Sequence, residues 1–301
     1  MTKLEGRVAI VTGAGGGLGR SHAMLLGHLG ARVVVNDTNV AAAEAVSHEI
    51  AAAGGSAMPF AASVTDEPLI DAMVASAMQA WGRVDILVNN AGILRDRSFA
   101  KMTMTEFREV VDVHLMGSAI CTKAVWAIMR AQSYGRVVMT TSSSGLFGSF
   151  GQANYGAAKM ALVGLMQTLA LEGEKYDIRV NCLAPTASTA MTDGILSPEA
   201  SDLFSPGLVS QGLPALVGEA APTRAILCAG AGHFARAYVT LTHGAFAGDA
   251  VGVAERWDAI GAREGDGVPT YGLAQMEREL SSAREAEDAW DDAADVGRAV
   301  A

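Results

Sequence analysis

From Arg7 to Pro185 the chain alternates between two hydrophobic periods. Short apolar runs rich in β-branched residues read as buried strands at Arg7–Val11, Ala31–Asn36, Ala57–Ala62, Val84–Val88, Arg136–Thr141 and Ile178–Ala184. Between them apolar residues recur three and four apart. That spacing predicts amphipathic helices running to His28, then over Ala41–Ala53, Asp66–Trp81, Thr103–Met129 and Ala153–Tyr176. Gly54-Gly55 stops the second helix, and Asp66-Glu67-Pro68 opens the third. Strand and helix in strict alternation predict an α/β fold with a parallel sheet and helices on both faces.

Beyond Pro185 the pattern loosens. Residues 186–218 read as an irregular lid at the site edge, with prolines at 198, 206 and 214 and enough apolar side chains to suit an apolar substrate. A helix over Glu219–Ala231 and a last strand over Ala237–Leu241 would complete the sheet. Gln275–Ala301, rich in Ala, Glu and Asp, reads as an acidic amphipathic helix with a mobile tail. The expected division is a catalytic domain over 1–245 and an extension over 246–301.

Composition narrows the classes. The net charge of −10 argues against a nucleic-acid surface. No apolar run approaches bilayer length, and the N-terminus reads as a first strand, not a leader. Cys121, Cys182 and Cys228 are odd in number and far apart, so neither a disulfide framework nor a metal site is expected, and a cytoplasmic setting is.

Ligand-type residues recur at successive strand ends: Gly13, Asp37, Ser63, Asn90, Ser142 and Pro185. Open α/β sheets put their ligand crevice there. After the first strand comes TGAGGGLG, in which Gly13, Gly17, Leu18 and Gly19 let backbone approach a pyrophosphate at a helix N-terminus. Asp37, 18 positions after Gly19, suits the ribose of NAD and would repel the 2′-phosphate of NADP; it could equally cap the helix from Val40. Ser63 and Val64 end the third strand, and Asn90, Ala91 and Gly92 the fourth, where an amide can lock strands and small residues admit a flat ligand.

Ser142, Tyr155 and Lys159 carry the candidate chemistry. Tyr155 and Lys159 are four apart, on one helix face. An ammonium beside a phenol lowers its pKa, so the pair can exchange a proton with an alcohol or ketone. Ser142 can hold the substrate oxygen. His114 lies on the helix expected beneath the site, either packed or in a proton relay.

In order and spacing, TGAGGGLG, NNAG, Ser142, Tyr155-x-x-x-Lys159 and Asn181–Pro185 resemble the short-chain dehydrogenase/reductase family over roughly residues 5–245. The resemblance implies one Rossmann-type domain with a seven-stranded parallel sheet, a nicotinamide cofactor and a homodimer or homotetramer. It implies Tyr155 as acid/base, Lys159 on the nicotinamide ribose and Ser142 on the substrate oxygen. The family's usual asparagine falls at His114, and its proline-glycine pair is Pro185-Thr186 here. VVVND, NNAGILRDRSFAKMT, VHLMGS and GSFGQANYGAAK are similar to the dehydrogenase part of the type 2 multifunctional enzymes, a (3R)-hydroxyacyl-CoA dehydrogenase subgroup that shares the histidine. The expected activity is thus NAD-dependent interconversion of a secondary alcohol and a ketone on a small molecule such as a 3-hydroxyacyl-CoA. A hydroxysteroid or other alcohol dehydrogenase, and an idle dinucleotide-binding protein, are the alternatives. Arg95, Arg97 and Lys101 after NNAG could meet CoA phosphates.

Overall fold

The computed structural model describes residues 4–189 and 203–285. One sheet organises the first of two units, Met1–Ala237. Its strands are β1 (Val8–Thr12), β2 (Arg32–Asp37), β3 (Ser56–Ala61), β4 (Ile86–Asn89), β5 (Gly135–Thr140), β6 (Ile178–Thr186), β7 (Ile226–Gly230) and β8 (His233–Ala237). They lie in the order β3-β2-β1-β4-β5-β6-β7-β8. All neighbours pair in parallel except β7 with β8, so the sheet has one strand more than expected, and that strand is antiparallel.

The pleat sorts the core into two layers. Ala9, Val11, Val33, Val35, Ile86 and Val88 face one layer, and Val8, Ile10, Val34 and Leu87 the other. The first layer is closed by α1 (Gly17–His28) and α2 (Val40–Ala52). The second is closed by α3 (Glu67–Trp81), a long helix after β4, and α7 (Ala153–Gly173). The long helix comprises α4 (Met104–Val111), a π-helical turn over Asp112–Met116, and α5 (Gly117–Gln132). Among the described residues Met104–Gln132 is the helix long and apolar enough to cross a membrane. Its Val110, Cys121, Val125 and Met129 are instead buried in the core.

Two expectations for the last third fail. The segment assigned to a helix over 219–231 contains β7, and the strand placed at 237–241 lies earlier, as β8. Ala231 and Gly232, both at positive φ, form the two-residue turn that folds β8 back on β7. Two positive-φ residues match the twist of a hairpin, but Ala-Gly lacks the asparagine or aspartate that usually announces one. β6 also runs two residues further than read, because Pro185 and Thr186 pair with Ala229 and Gly230. In the predicted lid, 190–202 lie outside the described residues; its end forms α8 (Pro206–Ser210) and α9 (Leu213–Val217).

The second unit, Tyr238–Ala301, holds α10 (Ala250–Glu255), capped by Asp249, and α11 (Trp257–Ile260). Leu241 bridges Gly267, and the Arg278 guanidinium donates to the carbonyls of Leu241 and Thr242. Residues 274–285 are helical; the rest of the predicted acidic tail lies outside the described residues.

Candidate active site

The carboxyl ends of β1, β2, β4, β5 and β6 converge on the site. At β1 the chain turns through Gly13, whose φ is +61° and whose Cα side faces the Ala91 backbone: a Cβ there would lie 2.8 Å from Ala91 Cα. Gly19 lies so close to the Gly13 carbonyl and the Asn90 amide that no side chain fits. The first turn of α1 follows these glycines, and its N-cap Gly16 supplies no side-chain bond to it. Such a terminus suits a pyrophosphate. Leu18 packs partly against the first core layer.

Asp37 closes β2. Its carboxylate accepts from the Gly15 and Asn39 amides, each at 2.9 Å. Capping of α2 falls to Asn39, which accepts from Ala42, so the alternative cap role read for Asp37 is taken by its neighbour. A carboxylate has about four acceptor sites, so Asp37 retains capacity for ribose hydroxyls. Beyond β3, the Ser63 hydroxyl lies 2.8 Å from that of Thr65, and buried Val64 packs against the start of α5 at Gly117.

At β4 the two asparagines do different work. Asn89 is buried and donates to Thr122. Asn90 donates to the carbonyls of Thr12 and Gly13, locking the end of β4 to β1. Thr12 completes the lock by accepting the Asn90 and Ala91 amides. Sequence reading missed Thr12, because a threonine at a strand end carries no signal of its own. Gly92 faces the imidazole of His114 without room for a Cβ.

His114 sits in the π-turn, 1 % exposed. A π-turn widens the helix by one residue and re-aims what it carries. Ser118 donates to the His114 carbonyl at 2.6 Å and Thr122 to that of Ser118 at 2.7 Å, so hydroxyls satisfy carbonyls there. The ring packs edge-on against Tyr155, centroids 5.2 Å apart. Burial, then the nearby Lys159 charge, pushes His114 down to about 3, so the imidazole is neutral at physiological pH.

Ser142, Tyr155 and Lys159 do come together. Ser142 ends β5 and caps α6 (Ser143–Phe147), accepting from Ser144. The Ser142 hydroxyl lies on the Tyr155 side chain's side of the cleft, where it favours the phenolate of Tyr155. Lys159 Nζ lies 5.4 Å from the Tyr155 ring centroid and donates to the Thr140 carbonyl at 2.6 Å. Thr141 holds the backbone of this helix turn by donating to the Lys159 carbonyl.

The electrostatics differ from the expected ones. Burial pushes Tyr155 above its ordinary value, with the Ser142 bond opposing and the Asp96 charge reinforcing the rise. Burial also pushes Lys159 down to about 7. The amine is thus poised between its two protonation states, which suits proton transfer more than permanent acidification of the phenol.

Asn154, which sequence reading passed over, positions the pair. It is wholly buried, accepts from the Tyr155 amide and donates to the Arg95 and Glu106 carbonyls. Gln152 donates to Asp96, and the Arg97 amide to the Gly151 carbonyl. The loop after β4 is therefore stitched to the start of α7. Arg95 and Arg97, read as possible phosphate ligands, pair with Glu109 and Glu106 at 2.9 and 2.7 Å. Pro185 lies within β6, paired with Ala229, and Thr189 beyond it packs over Gly17.

Comparison with known proteins agrees with this geometry. The sequence profile described as short chain dehydrogenase matches residues 7–200. The peroxisomal hydratase-dehydrogenase-epimerase of Saccharomyces cerevisiae is 51 % identical over 201 residues, covering 64 % of this chain and 22 % of its own length. The solved full-length peroxisomal multifunctional enzyme type 2 of Drosophila melanogaster superposes with a TM-score of 0.80 at 35 % identity, covering 94 % of this chain and 50 % of that one. The chain therefore spans half or less of these multidomain relatives. A 7α-hydroxysteroid dehydrogenase, solved with NADH and 7-oxo glycochenodeoxycholic acid, superposes with a TM-score of 0.72 at 30 % identity, over 76 % of this chain and 95 % of that one. A glycine-lined turn on β1, an amide lock between β4 and β1, a serine-tyrosine-lysine set on β5 and α7, and a profile match across the strands that carry them have one explanation: the chain belongs to the short-chain dehydrogenase/reductase family.

Proposed function

We propose that this oxidoreductase interconverts secondary alcohols and ketones with NAD, and that its substrate is a 3-hydroxyacyl thioester. The observation that carries the chemistry is Lys159 Nζ at 5.4 Å from the centroid of the Tyr155 ring, with the Ser142 hydroxyl acting on the same phenol. The nicotinamide cofactor, when bound, supplies the hydride acceptor. The glycine turn and the N-terminus of α1, which has no side-chain cap, would hold its pyrophosphate, and Asp37 its adenosine ribose. Asp37 supports NAD because a 2′-phosphate would meet a carboxylate already fixed by two amides.

Tyr155 takes the proton of the alcohol and Ser142 steadies the oxygen as it becomes a carbonyl. Lys159, near neutrality in pKa, receives the proton from the tyrosine side and returns it in the reverse direction. The sequence resemblance to the (3R)-hydroxyacyl-CoA dehydrogenase subgroup supports the acyl substrate, and the matches to the yeast and Drosophila enzymes agree with that subgroup. The bile-acid complex of the hydroxysteroid dehydrogenase supports a steroid alcohol as the second reading. As the family resemblance implies, the chain would act as a homodimer or homotetramer. Cys121 and Cys182 are buried, with thiols pushed up to about 12, and so are inert; a cytoplasmic setting is proposed from the number and spacing of the cysteines alone.

The test is cofactor reduction across 3-hydroxyacyl-CoAs, hydroxysteroids and simple secondary alcohols, with NAD and NADP in parallel. A hydroxyacyl-CoA should give the highest kcat/KM with NAD. Tyr155→Phe should lower kcat by about 10²–10⁴-fold while NAD still binds. Undiminished turnover in that variant would sink the mechanism.

A further inference from the structure

His22 is a buried titratable group that the chemistry of Ser142, Tyr155 and Lys159 leaves unused. It lies on α1 and is wholly buried. Its Nδ1 is 2.8 Å from the hydroxyl of Ser210, itself buried at the end of α8. Its Nε2 has no hydrogen-bond partner among the described residues. Burial pushes the imidazole down to about 3, so the ring is neutral at physiological pH. A contact made for packing alone is better served by an apolar side chain, because a half-satisfied buried ring is unfavourable in isolation. What the imidazole adds at this position is its bond to Ser210. A serine beside an imidazole can also be a nucleophile. Here the Ser210 hydroxyl is shared among the imidazole, the Ser21 hydroxyl at 2.9 Å and the Pro206 carbonyl at 3.1 Å, so the pair holds rather than reacts.

The bond joins two distant parts of the chain. α8 belongs to the stretch after β6, and its Val209, with Leu213 beyond it, packs into the core layer that α1 closes. The start of that stretch meets the same helix, where Thr189 packs over Gly17 in the first turn of α1. The two stems are also tied to each other. The Ser188 amide donates to the Phe204 carbonyl at 2.7 Å, and the Phe204 ring lies over Gly230, where a Cβ would come within 3.1 Å of it. Gly17 and Ser21 are four apart and share a face of α1, with His22 beside them. One helix thus carries both stems, Thr189 at its first turn and Ser210 one turn further along.

We propose that His22 is a positioning residue: through Ser210 it clamps the base of the stretch after β6 to α1, so that a dinucleotide held at the N-terminus of α1 orders α8. The clamp rests on the proposed reading of α1 as the cofactor helix. A ligand at Gly17 would meet Thr189, in the first stem. The Ser188–Phe204 bond passes that restraint to the second stem, and His22 returns the second stem to α1. Without the imidazole bond, α8 rests on α1 by apolar contact, which is non-directional and tolerates sliding. Leu203 and Leu208 stand exposed in the second stem, and they are the apolar side chains whose position the clamp fixes for an acyl or steroid substrate.

Amide hydrogen exchange, read by mass spectrometry with and without NADH, tests the clamp. In the wild-type protein, saturating NADH should slow exchange over Phe204–Leu213 by about fivefold or more. In Ser210→Ala the slowing should fall below about twofold, at NADH concentrations that nicotinamide fluorescence shows to be saturating. Two variants of His22 separate bond from bulk. His22→Asn keeps a polar atom about where Nδ1 lies and loses volume, and His22→Phe keeps volume and loses the bond. The clamp predicts that NADH slows exchange more in the asparagine variant than in the phenylalanine variant. Packing alone predicts the reverse order, so equal slowing in the two, or more in the phenylalanine variant, would overturn the proposal. Exchange over Phe204–Leu213 that ignores bound NADH in the wild-type protein would overturn it whatever the variants do, and would leave the proposed cofactor standing. Wild-type protein that does not bind NADH at all would reject the proposed cofactor and the clamp together.

Discussion

Lys159 is where the site should be most costly to the fold. It is 3 % exposed, its amine donates to the Thr140 carbonyl, and burial moves its pKa from 10.5 to about 7. A shift of that size is worth roughly 5 kcal/mol between protonation states, an upper bound on the cost of burying the ammonium. The sign follows from proton counting. Between pH 7 and 10.5 the unfolded chain holds a proton on this amine that the folded chain has released. Stability therefore rises with pH across that window, and the cost is present in full below pH 7. From pH 7 to 8.5 the gain is about 2 kcal/mol at the slope for one proton. Above pH 9 the trend reverses, because Cys121 and Cys182 ionise in the unfolded chain before they do in the folded one. Replacing the lysine by methionine keeps an unbranched chain and removes the charge. Lys159→Met leaves the Thr140 carbonyl without its donor, which offsets about 1–2 kcal/mol. The net expectation is a variant about 2 kcal/mol more stable at pH 7, without turnover and with no rise in stability between pH 7 and 8.5. Urea titrations of both proteins at half-unit pH steps measure this. Parallel pH profiles, or a less stable variant at pH 7, would refute the account of Lys159 as a buried amine held near neutrality.

Other consequences are simpler. His22 and His114 are both pushed down to about 3 by burial, so the unfolded chain takes up two protons that the folded one does not. Stability should fall as pH drops from 6.5 toward 3, at about 2.7 kcal/mol per unit, and His22→Phe should roughly halve that slope in acid urea titrations. Asp37→Ala should cut the NAD over NADP preference in kcat/KM by about tenfold or more, since hydrogen bonds to a charged group are worth about 1.5–3 kcal/mol; an unchanged ratio would remove Asp37 from the ribose site. Gly92→Ala drives a methyl into the His114 ring and should lower unfolding free energy by about 1–3 kcal/mol, read by thermal and urea melts.

Much of the fold was legible because a parallel sheet buried on both faces writes itself as short β-branched runs, as in VAIVT and RVVVND. Asp37, Asn90 and Ser142 could be found by one rule, since each is a polar residue closing such a run. The hairpin of β7 and β8 was not legible: its turn is Ala231-Gly232, and ILCAG is too short for its period to separate strand from helix. Nor were Thr12 and Asn154, whose roles depend on carbonyls many residues away. The π-turn at His114 was hidden inside a pattern that looks like one continuous helix. The expected fall of the Tyr155 pKa is replaced by a rise for a general reason. Spacing reveals that two groups are neighbours, but the sign of a pKa shift depends on how deeply each is buried.

The two ends of the sheet divide stability and chemistry between them. At the carboxyl ends lie a buried amine, a neutral buried imidazole and several orphaned polar atoms, each unfavourable in isolation. The amino ends carry the opposite arrangement. Asp85, wholly buried before β4, accepts from Arg7, Arg83 and the Val8 amide. Arg136, buried at the start of β5, donates to Asp177 and to the Gly135, Gly218 and Glu219 carbonyls, and Tyr134 is sandwiched between the guanidiniums of Arg7 and Arg136. Here each of these charges has its partners, so the network fixes β1, β4, β5 and β6 together at the end of the sheet away from Ser142, Tyr155 and Lys159. Gly218 and Glu219 lie just after α9, so the same arginine pins the end of that helix to the sheet. A site that must keep poorly satisfied groups ready for a ligand is stable only if the strands delivering them are held from elsewhere, and in this chain that hold lies one strand length away from the chemistry.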